Sequence, residues 1–146
     1  KNLPAWNGMI LIFSKELLSA KRKKLSIYEM EIVRNLLRHD TLGALIAEKW
    51  GMPNELCQTI RWHHTELRED REEVEDPETH LLVDIVYLAN SMVNKMKFGN
   101  SGHSFYRPPS QKFLKTMGLK EANLVELEEA IRSDWETKFS YLAILK

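Results

Sequence analysis

Apolar positions along the chain recur at helical spacing and almost never alternate as a half-buried strand requires. Met9 to about Ala20 reads as a first helix, although the run Ile10-Leu11-Ile12-Phe13 is ambiguous taken alone. Ser26 and Glu29 have the spacing of a capping box, in which each side chain satisfies a free backbone N–H, and predict a helix reaching about Leu37. Leu42, Leu45, Ile46 and Trp50 form one stripe of the next helix, which Gly51 stops, and Pro53 suits the first turn of the following one. That helix places Leu56, Ile60, His63 and Leu67 on a single face. Asp76-Pro77 predicts the start of a strongly periodic helix with Leu82, Ile85, Val86, Ala89, Val93 and Met96 as its buried stripe. Ser110 caps a short helix ending at Gly118. Asn123 with Glu126 opens a closing helix with the stripe Leu124, Leu127, Ile131, Trp135 and Leu142. The expectation is an all-α fold, a compact bundle of about six or seven helices, forming a single domain over residues 1–146.

Two stretches interrupt the periodicity. Residues 66–78 are dominated by carboxylates and arginines, with only Leu67 and Val74 apolar, and read as a flexible, solvated connection. Residues 99–109, from Gly99-Asn100-Ser101-Gly102 to Pro108-Pro109, read as a loop. Charge adds little, because 21 basic side chains balance 21 acidic ones and leave no global field to attract nucleic acid or anionic membrane. The basic cluster Lys21 to Lys24 is simplest as a solvated loop; nucleic-acid binding through it would show strong salt dependence. A lone cysteine, Cys57, excludes an internal disulfide framework and favours a reducing, cytoplasmic setting. No apolar run approaches the roughly 20 residues of a membrane span, so neither membrane nor nucleic acid is an expected partner. The chain starts at Lys1 without an initiator Met, as a piece of a longer protein would.

Chemistry-bearing residues are few. His39, His63 and His64 stand out, since imidazoles gathered in a helical bundle ligate transition metals when their tautomers are fixed by outer partners. An adjacent His pair lacks the i, i+4 spacing of a two-histidine metal motif, so a hydrogen-bonded core histidine is the simpler reading of His63. His80 and His103 lie beside predicted caps or loops and receive no role. Cys57 reads as a small buried hydrophobe, and Trp50, Trp62 and Trp135 as core residues. Gly-rich phosphate loops, nucleophile elbows and Cys-based zinc motifs are absent.

Two segments together carry a family resemblance. The first runs from His39-Asp40 through Gly43-Ala44-Leu45 to Trp50-Gly51-Met52-Pro53 and on to Ile60-Arg61-Trp62-His63-His64. The second is Ile85-Val86-Tyr87-Leu88-Ala89-Asn90, and the tail from Leu114 to Leu119 adds support. From about Glu29 to its end the chain resembles the HDOD branch of the HD superfamily, as a partial domain lacking the N-terminal helices. In the related catalytic HD-GYP domains the corresponding positions ligate metal; carried over, they are His39, His63, His64 and Asn90, with an amide where a carboxylate would stand. The family's His-Asp doublet would fall upstream, on Ala5 and Trp6, rather than on His39-Asp40. The resemblance therefore implies a non-catalytic bacterial signal-transduction module without catalytic residues or a cofactor. It would bind signalling proteins, a fused signalling domain or a small ligand through a depression near His39, His63, His64 and Asn90. The alternative it leaves is a metal-dependent HD-type phosphohydrolase or phosphodiesterase, holding a divalent metal at His39, His63 and His64.

Overall fold

The helix ends are set by polar caps and by left-handed residues that stop the chain. The computed structural model describes Leu18, Ala20, residues 22–98 and residues 106–144. Its elements are α1 (Ile27–Val33), α2 (His39–Lys49), α3 (Asn54–Trp62), a short 3-10 turn (Arg68–Asp70), α4 (Pro77–Met96), α5 (Gln111–Thr116) and α6 (Glu121–Ile144). No strand occurs among the described residues, and the all-α expectation holds. Most of the helix predicted over Met9 to Ala20 lies outside the described residues, but Leu18 and Ala20 are helical. The predicted loop at 99–109 is described only from residue 106, where it is irregular.

The chain divides into two compact units, Lys1–Pro108 and Pro109–Lys146. In the first, Ser26 and Glu29 form the predicted capping box at the start of α1. That helix stops at Val33 rather than near Leu37. Asn35 turns left-handed at φ 51°, and the Leu36 N–H reaches back to the Glu31 carbonyl, so the last carbonyls are satisfied and the helix cannot continue. Gly51, at φ 69°, closes α2 in the same way, with the Met52 N–H on the Ala47 carbonyl. Asp76 caps α4 by accepting from the Thr79 N–H. In the second unit Ser110 caps α5, and Phe113, Leu114 and Leu124 are buried. Here α6 begins at Glu121, two residues ahead of its predicted cap, Asn123. Asn123 lies inside the first turn and accepts from the Lys120 N–H, so it acts from the third position of the helix.

The buried faces of α2 and α4 differ from the predicted stripes. On α2 the buried residues are Asp40, Ala44 and Ala47, whereas Leu42, Leu45 and Ile46 are exposed and Trp50 is 76% exposed. Where α2 meets α3 at Gly43 there is no room for a side chain. A Cβ on Gly43 would stand 2.9 Å from Ile60 Cγ2. On α4 the buried set is Thr79, Val83, Asp84, Leu88, Met92 and Met96, while Ile85, Ala89 and Val93 face outward. Of the tryptophans read as core, Trp50 and Trp135 are exposed, and only Trp62 is half-buried, donating its Nε1–H to Gln58 Oε1.

The rotation of α4 follows from Asp84. Its side chain is fully buried, and an unpaired carboxylate there would be prohibitively costly. Arg68 donates through Nε and Nη2 to Asp84 Oδ2 at 2.9 and 2.6 Å. Arg71, also fully buried, brings Nη2 within 2.7 Å of Asp84 Oδ1, an ionic contact rather than an aligned hydrogen bond. The hydrogen bonds of the Arg71 guanidinium go to the carbonyls of Thr65, Glu66 and His80. Both arginines come from the stretch expected to be a solvated connection. That stretch therefore supplies the buried charge partners of α4.

Removing Arg71 leaves three carbonyls and half a buried ion pair unsatisfied. Arg71→Met is expected to lower stability by about 3–5 kcal/mol in urea unfolding. Gly43→Ala forces Ile60 away and is expected to cost about 1–3 kcal/mol by the same measurement, with chemical shifts moving at His63, whose ring hangs on the Ile60 carbonyl.

Candidate functional site

The site forms where the start of α2 meets the end of α3. His39 is the first residue of α2 and projects beside α1, where the buried Glu31 receives it. Glu31 Oε2 accepts from the His39 backbone N–H at 3.2 Å and pairs with His39 Nδ1 at 2.8 Å. His63 terminates α3 and donates Nδ1–H to the Ile60 carbonyl at 2.7 Å, the ordinary way in which a protein fixes an imidazole tautomer. His64 follows directly, and its Nε2 lies 2.9 Å from His39 Nε2. The three rings each place a nitrogen within 4.8 Å of the others.

Asn90, from α4, completes the group. Its Nδ2 lies 3.5 Å from His64 Nδ1, so the four positions singled out by the resemblance are brought together. Tyr28 stacks on His64 with ring centroids 4.7 Å apart, and Arg38 lies over the Tyr28 ring. Asp40 does not join them. Burial alone would raise its carboxyl, but bonds from Arg38 and Thr41 outweigh that and hold it below the ordinary range. The His39-Asp40 doublet thus turns one side chain to the cluster and the other to Arg38.

Glu31 is the participant that sequence spacing did not reveal. It lies in α1 eight residues before His39, and nothing in the helical pattern marks its carboxylate as buried. Cys57 is buried, as expected, with Sγ near the Met52 carbonyl. His80 is half-buried away from the cluster, and His103 lies outside the described residues.

Beside His64 opens a depression of about 270 Å³, lined among others by Tyr28, Tyr87, Asn90, Asn94 and Arg107. His39 and His63 do not line it. The Tyr87 phenol, half-buried and donating to Glu66 Oε1, is held well above its ordinary value by desolvation and the nearby Glu66 charge and stays protonated. Arg107 reaches across to Glu29, so the rim carries a paired rather than an isolated charge.

Residues 11–66 match the family model of the HDOD domain. The resemblance drawn from Trp50-x-x-Pro53 and His63-His64 is borne out from about Glu29 to residue 66, part of a longer domain, while its later segments, Ile85–Asn90 and Leu114–Leu119, lie beyond the match. His39, His63 and His64 fall inside the HDOD match. Asn90 falls beyond it, and geometry alone brings it to the cluster. No curated protein and no solved structure matches the chain. No described helix is long and apolar enough to cross a membrane.

Burial lowers the His63 pKa, against a smaller opposing effect of its bond to Ile60, and His39 nearby acts in the same downward direction. Its unfolded form then binds a proton more readily than its folded form. The stabilisation is complete above the ordinary value of 6.5 and declines as pH falls below it. The urea midpoint is expected to drop between pH 7.5 and 5.5, and His63→Gln is expected to flatten part of that slope.

Proposed function

We propose that this chain is a non-catalytic regulatory module of the HD superfamily, working in the cytoplasm of a bacterium by binding a signalling protein, a fused domain or a small polar ligand. The match to the HDOD domain supports a regulatory or signalling role in outline. The observation that carries the finer reading is the donor set. Three imidazoles meet an amide, Asn90, where a metal-dependent phosphohydrolase needs a charged oxygen ligand. The carboxylate bonded to the cluster, Glu31, is already engaged by His39. The residues present do not fit a hard divalent cation. The depression beside His64 offers phenol, amide, imidazole and guanidinium groups, with its carboxylates Glu29 and Glu66 engaged by Arg107 and Tyr87, and this suits recognition of a small polar group.

The phosphohydrolase reading retains one supporting observation, the convergence of three histidine nitrogens. Assay of the purified full chain with manganese or magnesium against nucleotide and cyclic-dinucleotide phosphoesters separates the two. No turnover above the His63→Ala background is expected. Turnover that His63→Ala abolishes would overturn the proposal.

A further inference from the structure

The protons of the histidine cluster can be placed from heavy atoms alone, starting from either end. At one end, Asn94 Nδ2 lies 2.9 Å from the Asn90 backbone carbonyl, an atom that only accepts, so this end of the Asn94 amide must be the donor. The same atom lies 3.2 Å from Asn90 Oδ1, which must therefore be the acceptor end of the Asn90 amide. Asn90 then presents its NH₂ group to His64 Nδ1, and His64 Nδ1 must carry a lone pair. A neutral His64 has its proton on Nε2.

At the other end, Glu31 Oε2 accepts from both the backbone N–H and Nδ1 of His39, so His39 Nδ1 is protonated. A neutral His39 then has a lone pair on Nε2, which faces His64 Nε2 at 2.9 Å. Two lone pairs at that distance would repel, so a proton must lie between them, and only His64 can supply it. Both ends reach the same tautomer. A protonated His39 would instead require His64 to carry its proton on Nδ1, pointing at an NH₂ group.

We infer that Asn94, acting through Asn90, is a positioning residue that holds His64 in its Nε2-protonated tautomer, so that the cluster closes on a His64-to-His39 hydrogen bond. Only His39 and His63 then direct Nε2 lone pairs inward, and these are too few to hold a cation without His64. The inference deepens the proposed function at the same site. It differs in explaining why three converging imidazoles, a spacing that would suit a borderline metal such as zinc, are not offered as three ligands. A carboxylate at position 90 would reverse the arrangement by accepting from His64 Nδ1–H and freeing Nε2.

The test is a two-bond 1H–15N correlation spectrum of the full chain with 15N-labelled histidine at pH 7.5, which reads each tautomer directly. In the unsubstituted protein His64 is expected as the Nε2–H form, and His39 and His63 as the Nδ1–H forms. Asn94→Ala adds no charge and is expected to give mixed His64 tautomers. Asn90→Asp is expected to move His64 to the Nδ1–H form and to raise zinc affinity by roughly tenfold or more in calorimetric titration. A His64 that carries its proton on Nδ1 in the unsubstituted protein would overturn the inference without recourse to any variant. So would an unchanged His64 tautomer in a folded Asn94→Ala protein. Phosphoester turnover bears on the proposed function alone, and the tautomer bears on this inference alone, so the two fail separately.

Discussion

A carboxylate without solvent, Asp84, is the constraint on which the first unit depends. Burying it is tolerable only with matched cations, and Arg68 and Arg71 meet it from the segment that follows the histidine pair. The guanidinium of Arg71 also binds the carbonyls of Thr65 and Glu66, the two residues directly after His64. One buried charge thereby fixes the chain leaving His64 against the helix that carries Asn90 and Asn94. Stability and the geometry of the cluster rest on the same ion pair.

Much of the helical outline was legible in the sequence because it is written in local chemistry. Ser26, Asp76 and Ser110 satisfy backbone donors a few residues away, and Gly51 and Gly118 adopt the left-handed conformation that ends a helix. The burial of each helix was less legible, because it depends on partners distant in sequence. The apolar stripe of α2 is its largest hydrophobic signal, yet the face with Ala44 and Ala47 is the one turned inward, since Gly43 must come up against Ile60. On α4, Asp84 displaced the apolar phase by one position. A rule that places apolar residues inside has no means of foreseeing a buried charge.

The site was legible through family resemblance rather than periodicity. His39, His63 and His64 converge as the carry-over implied, and Asn90 joins them although it lies beyond the matched HDOD stretch. What the resemblance did not supply was the set of partners that orients the rings. Glu31, the Ile60 carbonyl and Asn94 each act on one ring nitrogen or on its neighbour, and of these only Ile60 belongs to the quoted motif. An amide in place of a carboxylate does more than remove charge, since it reverses the hydrogen bond to His64 Nδ1 and so sets the His64 proton on Nε2.

The central claim is that the three histidines are arranged to bond with one another rather than to a metal. A crystal structure of the full chain at neutral pH, grown with excess zinc and recorded at the zinc absorption edge, tests it most directly. The account predicts His39 Nε2 and His64 Nε2 at hydrogen-bonding distance, with no anomalous peak among the rings. A fully occupied zinc bound by the Nε2 atoms of His39, His63 and His64 would contradict it.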